Sequence, residues 1–262
     1  MPNSGTSPQP HLESAPPPSH RRALRSILLI VFAACLGTSP DPLPPDDDLH
    51  LLFIGNSLTY TNDLPGMVER LGLALDGKAP VVESITAGDF SLEDHWNQGQ
   101  AQQRIAAGRW DLVILQQGPS ALPESRVNLV EYAGKFAGEA RKVGGRPALY
   151  MVWPPADRVA EWDDVSESYA TAARQVNGVL FPVGEAFRAA LRRKSGLVLF
   201  AGDGFHPSVA GTYLAAMVIY AQASGRSPIG ISSIARIVSL SPGDIEALEG
   251  GAAEAIQQFS SP

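Results

Sequence analysis

From residue 50 onward, short unbroken apolar runs alternate with longer stretches whose apolar residues recur at helical spacing. Residues 50–54 read HLLFI, the pattern of a strand buried on both faces. Leu64, Met67, Val68, Leu71 and Leu75 then recur every three or four residues, which predicts a helix over 64–75. Further strands are predicted at 80–85 (PVVESI), 111–116 (DLVILQ), 148–153 (ALYMVW) and 179–183, with helices over 98–107, 126–143, 162–175, 185–193, 208–223 and 243–258. Ser208 is the candidate N-cap of the helix it opens. Strands separated by helices imply right-handed crossovers and a parallel sheet, hence an α/β fold: a three-layer α/β/α sandwich on a five-stranded parallel sheet. Chemistry in such sheets gathers at the carboxyl ends of the strands.

The first 48 residues follow a different pattern. Residues 1–19 are rich in Pro and Ser without hydrophobic periodicity, the composition of a disordered segment. Arg21, Arg22 and Arg25 precede a ten-residue apolar run over 27–36, too short to span a bilayer and suited to a signal peptide. Phe32-Ala33-Ala34-Cys35 resembles a bacterial lipobox, with Phe32 where Leu is usual, which predicts lipidation of Cys35. An uncleaved anchor or a small buried cysteine would also fit. Residues 38–48 (TSPDPLPPDDD) cannot pack a core and read as an extended stalk. The predicted organisation is therefore a signal segment over 1–35, a linker over 36–48 and a catalytic-size domain over 49–262. The protein is expected to be exported and held at the periplasmic or cell-surface side of a bacterial membrane.

Composition narrows the function. Of 262 residues 44% are hydrophobic and 18% charged, enough to build a substantial core. A net charge of −7 with no basic run beyond Arg21-Arg22 excludes an electrostatic nucleic-acid binder. Cys35 alone permits no internal disulfide or Cys-rich metal site, and the five histidines include no HExxH, so neither metal nor cofactor is implied.

Three strand-end segments carry candidate chemistry. The first strand runs into Gly55-Asn56-Ser57-Leu58-Thr59, which puts Ser57 at a turn into a helix. An N-cap serine would look the same. The second runs into Thr86-Ala87-Gly88-Asp89, where Gly88 either serves a turn or lets its N–H approach a ligand. Far downstream, Gly202-Asp203-Gly204-Phe205-His206-Pro207 places a carboxylate three residues from an imidazole, close enough to fix its tautomer.

In this order, GNSLT, the Gly88 segment and DGFHP resemble the blocks of the SGNH/GDSL hydrolase superfamily, from Phe53 to about Tyr220. The resemblance implies a flavodoxin-like fold with Ser57 as nucleophile, His206 as general base and Asp203 as its partner. It also implies an oxyanion hole from the N–H groups of Ser57 and Gly88 and a third-block Asn side chain. Here that third block reads Gln116-Gln117-Gly118-Pro119-Ser120, without the family's Gly-x-Asn-Asp, so Gln116 first and Gln117 second are the candidate carboxamide donors. Asn56 and Trp153 are candidate substrate contacts, and Trp153, Trp162 and Trp96 could stack on sugar rings.

Competing features weigh less. His95, preceded by Glu93 and Asp94, is a rival base; His50 stands at the amino end of its strand and reads as structural. Residues 72–79 (GLALDGKA) approach a P-loop, but Ala79 replaces the required Ser or Thr and a strand follows, so the segment reads as a helix end. The expected activity is metal-free hydrolysis of short acyl esters, with a small acyl ester or O-acetylated carbohydrate as partner. An acyltransferase on the same site and a glycan-binding surface lipoprotein are the alternatives.

Overall fold

The computed structural model describes residues 47–259. Cys35 and the signal-like segment lie outside them. Strand β1 (His50–Gly55) is an interior strand, and every residue after His50 is buried, as an unbroken apolar run requires. It pairs in parallel with β2 (Val81–Thr86) on one side and β3 (Leu112–Leu115) on the other; β4 (Arg146–Tyr150) and β5 (Val179–Phe181) complete the sheet in the order β2-β1-β3-β4-β5. The all-parallel five-stranded sheet between helical layers is the doubly wound α/β fold that the strand–helix alternation predicts. Its strand order reverses between β1 and β3, where ligands bind in sheets of this class.

Helices α2 (Leu64–Asp76), α7 (Val183–Arg193), α8 (Val209–Ser224) and α10 (Pro242–Phe259) pack together on one face of the sheet. On the other lie α3 (Leu92–Gln98), α4 (Gln100–Ala107), α5 (Pro123–Lys142) and α6 (Trp162–Gln175). Helix α8 is apolar all round and buried from Gly211 to Ala221, as a helix lodged between neighbours must be. Ser208 caps it, its side chain accepting from the Gly211 N–H. Among the described residues no helix is long and apolar enough to cross a membrane.

Three local features depart from the sequence pattern. The polar stretch around residue 98 is two helices, α3 and α4, broken at Gly99 in the left-handed region (φ 79°). The predicted strand over 148–153 leaves the ladder at Tyr150, while Met151, Val152 and Trp153 stay buried. A short helix, α9 (Ile231–Ala235), lies in a stretch with no periodic signal. The P-loop-like segment is the end of α2, closed by Gly77 in the left-handed region (φ 71°).

Close approach of backbones sets the tightest packing limits. A Cβ on Gly211 would collide with the Leu199 carbonyl oxygen, because the first turn of α8 lies directly on the chain leading to residue 206. Gly211→Ala is expected to cost about 1–3 kcal/mol, the usual range for overpacking, and so to lower Tm by several degrees in thermal unfolding. An unchanged Tm would show that this contact is not tight.

Candidate active site

The first strand end is a clamp built around one buried carboxamide. Gly55 ends β1 without a side chain because a Cβ there would collide with Gln116 Oε1 and Thr59 Oγ1. Gln116 Oε1 accepts from the Asn56 N–H (2.8 Å) and the Thr59 hydroxyl (2.7 Å). Its Nε2 donates to Asn56 Oδ1 (2.9 Å) and to the Gln117 carbonyl (2.7 Å). Two acceptor and two donor positions exhaust an amide side chain. Gln116 therefore joins the ends of β1 and β3, and the expectation that it donates to an oxyanion is corrected: it has no hydrogen left to give.

Helix α1 (Ser57–Tyr60) starts directly at this clamp. Its N-cap is Asn56, whose Oδ1 accepts from the Leu58 N–H (3.1 Å) and whose Nδ2 donates to the Phe90 carbonyl (3.0 Å). Asn56 is thus largely buried and committed to the scaffold, while it also forms part of the cavity wall beside Ser57. With the cap supplied by its neighbour, Ser57 occupies the first helical position and its hydroxyl is free of capping. The serine is not an N-cap.

The second half comes from the segment before α8. Asp203 Oδ1 accepts from the N–H groups of Phe205 (2.9 Å) and His206 (3.0 Å), while Oδ2 takes the hydrogen bond of His206 Nδ1 (2.5 Å). These bonds, led by that of the Phe205 amide, hold the Asp203 carboxyl down to a pKa of about 2. With Nδ1 donating to the carboxylate, Nε2 is the acceptor and meets Ser57 Oγ at 2.9 Å. Ser57, His206 and Asp203 form one continuous hydrogen-bonded chain.

Several groups brace this loop. Trp153 Nε1 donates to the Phe205 carbonyl (3.0 Å), the Ala156 N–H to that of Gly204 (2.8 Å), and Asn62 Nδ2 to that of Pro207 (2.9 Å). Trp153 is fully buried, its ring stacked on Phe187 with centroids 3.8 Å apart. It supports the loop from beneath, so the substrate-stacking role expected of it is also corrected. Trp162 is buried too, and Trp96 packs edge-on against Phe136.

Gly88 lies just past β2, tied to the end of β1 through the Ala87 N–H, which donates to the Gly55 carbonyl (3.2 Å). The N–H groups of Ser57 and Gly88 have no protein acceptor among the described residues, as two oxyanion donors require. Beside Ser57 opens a cavity of about 430 Å³ lined by Ser57, Asp89, Phe90, Gln117, Ser120 and Asn128, among others. Gln117 Oε1 accepts from the Leu92 N–H (3.1 Å) and its Nε2 donates to Ser120 Oγ (2.9 Å). That leaves one Nε2 hydrogen on the cavity wall. The Tyr169 hydroxyl anchors this wall by donating to the Gln117 carbonyl (2.6 Å).

The rival base is occupied elsewhere. His95 is buried with Nε2 against the Gly55 carbonyl (2.8 Å), and burial lowers its pKa, which keeps the ring neutral. His50 begins β1 at the far end of the sheet. Tyr169, Thr59 and Asn62 were not singled out by sequence. Of these only Thr59, two residues after the serine, carried a positional signal.

The chain matches no protein-family model and no curated protein. Among solved structures it is similar to a protein from Slackia heliotrinireducens described as a candidate SGNH hydrolase, at 28% identity over 66% of this chain and 98% of that one, with a TM-score of 0.58. A DUF4886 family protein from Bacteroides uniformis is similar over 80% of this chain and 95% of that one, at 18% identity and a TM-score of 0.68. An acetyl-xylooligosaccharide esterase from Geobacillus shares the fold at 16% identity and a TM-score of 0.51, over 66% of this chain and 91% of that one.

The clamp and the loop give separate tests. Gln116→Ala strands buried partners on Asn56 and Thr59 and is expected to cost about 1–3 kcal/mol, read by denaturant unfolding. An effect within error would remove the clamp from the account. Because folding lowers the Asp203 pKa, its contribution is present above the ordinary carboxyl value near 3.8 and is lost as pH falls through about 2. The Tm gap between wild type and Asp203→Asn should therefore narrow as pH falls from about 4 to 2. A gap independent of pH across that window would contradict the assignment.

Proposed function

We propose that this chain, which belongs to the SGNH/GDSL hydrolase superfamily, is a serine esterase acting on short acyl esters. The observation that carries the reading is the hydrogen-bonded chain from Ser57 Oγ through His206 to Asp203. His206 Nε2 takes the hydroxyl proton as Ser57 Oγ attacks the ester carbonyl carbon. The imidazolium that forms is stabilised by the Asp203 carboxylate, and the Ser57 and Gly88 N–H groups receive the developing oxyanion. His206 then passes the proton to the departing alkoxide, leaving an acyl-serine and a free alcohol. Water deprotonated by the same nitrogen attacks the acyl carbon, and Ser57 leaves with the proton restored.

The cavity wall supports a small, polar ester. Ser91, Ser125 and Asn128 supply hydrogen-bonding groups, and Phe90 and Phe205 supply two apolar faces. Acetyl is accordingly the proposed acyl group, with a carbohydrate alcohol the proposed other half. A purely glycan-binding role has less support, because Trp153 and Trp162 are buried away from solvent and offer no stacking platform. The arginines and apolar run before Cys35 support export and lipid anchoring as part of the same proposal.

Hydrolysis of 4-nitrophenyl acetate by the full chain tests the reading. Ser57→Ala and His206→Ala are each expected to lower kcat by roughly 10⁴-fold or more, the scale of losing a triad member. Mutants as active as wild type would overturn it.

A further inference from the structure

The cavity beside Ser57 has a single charged group in its wall. Ser57, Phe90, Ser91, Gln117, Ser120, Ser125, Asn128 and the rest are neutral; Asp89 alone is ionic. Among the described residues its carboxylate has neither a hydrogen-bond nor an ion-pair partner. It therefore acts on whatever occupies the cavity, without a neighbouring cation to cancel it.

Hydrogen bonds to its backbone hold the turn that carries Asp89. Asp89 is the third residue of a turn closed by the Phe90 N–H, which donates to the Ala87 carbonyl (3.4 Å). One end of the turn is tied to β1 by the Ala87 N–H on the Gly55 carbonyl (3.2 Å), the other by Asn56 Nδ2 on the Phe90 carbonyl (3.0 Å). Asp89 itself is in the left-handed region (φ 62°), a conformation glycine would adopt without strain. A side chain at this position costs backbone energy, and what it supplies is a negative charge on the cavity wall, one residue from a candidate oxyanion donor.

We propose that Asp89 makes the site selective by charge, admitting neutral and cationic acyl esters and disfavouring anionic ones. The selection deepens the esterase reading and rests on it. The net charge of −7 acts in the same direction at long range, but it is screened beyond a Debye length of about 8–10 Å at ordinary salt, whereas a group in the cavity wall acts within that distance.

The test compares three 4-nitrophenyl esters of similar size: a neutral butyrate, an anionic hemisuccinate and a cationic trimethylammonio-butyrate. They are hydrolysed by wild type, Asp89→Asn and Ser57→Ala at low and high NaCl. Asparagine keeps the shape and tolerates the left-handed backbone, so the exchange removes charge alone. In Asp89→Asn the anionic-to-neutral ratio of kcat/KM should rise roughly threefold to tenfold, and the cationic-to-neutral ratio should fall by a similar factor, the scale of one partly screened charge pair. High salt should shrink both changes. A structural effect of the substitution would move all three esters together and leave the ratios alone. Turnover that depends on Ser57 but has unchanged ratios overturns the charge selection and leaves the esterase reading standing. Absence of Ser57-dependent turnover on all three esters overturns the esterase reading, and the selection with it.

Discussion

The carboxamide of Gln116 is the joint on which the site depends. Three of its four hydrogen bonds join the end of β3 to the end of β1, at the point where the strand order of the sheet reverses. An uncharged amide suits this place because it can satisfy donors and acceptors together, whereas a buried carboxylate would present acceptors only. The clamp also explains the composition of the first block. Gly55 leaves room for the amide, Asn56 and Thr59 bind it, and Leu58 is the buried apolar residue of α1. Ser57 is the one polar member whose side chain takes no part in the clamp, and it is the one that turns towards His206.

The acid–base loop is organised on a different principle. Asp203 spends one oxygen on two backbone N–H groups and the other on the imidazole, so one carboxylate sets both the fold of the turn and the tautomer of His206. Bracing from Trp153, Ala156 and Asn62 reaches the loop through its carbonyl oxygens, which leaves the imidazole face to the serine. Asn62 has a further role. It sits in the left-handed region (φ 55°) just beyond α1 and binds both the Pro207 carbonyl and Thr212 Oγ1 (2.9 Å each). It thereby ties the nucleophile's helix to the loop that carries the base, and the 2.9 Å gap between Ser57 and His206 is set by scaffold on both sides.

The strand–helix alternation was legible because buried parallel strands and amphipathic helices leave periodic marks, and β1, α2, α6 and α8 fall within a residue or two of where those marks put them. Ser57, Asp203 and His206 were nameable because their spacing resembles family blocks. The parts that misled are those whose role depends on what lies across the sheet. Gln116 and Gln117 are adjacent in sequence, yet opposite sides of a strand end send one into the clamp and the other to the cavity wall. Trp153 looked like a rim residue because the apolar run carries it past the strand, but that run continues into the core, and only the indole N–H reaches the catalytic loop. The α3–α4 break could have been read from Gly99; α9 had no such mark.

Strain adds a last constraint. Two non-glycine residues in the left-handed region, Asp89 and Ser120, lie on the cavity wall. Ser120 is held there by both of its side-chain bonds, accepting from Gln117 Nε2 and donating to the Gly118 carbonyl (3.1 Å). Its conformation thus serves the placement of Gln117, whose carboxamide keeps one hydrogen on the cavity wall. Asp89 has no comparable bonds, and the cost of its backbone is met by the turn tied to β1 and Asn56. One strained residue therefore positions a neighbour, while the other presents itself. Both rest on connections that lead back to Gly55, Asn56 and Gln116, so the shape of the cavity and the readiness of the serine are set by the same few buried hydrogen bonds.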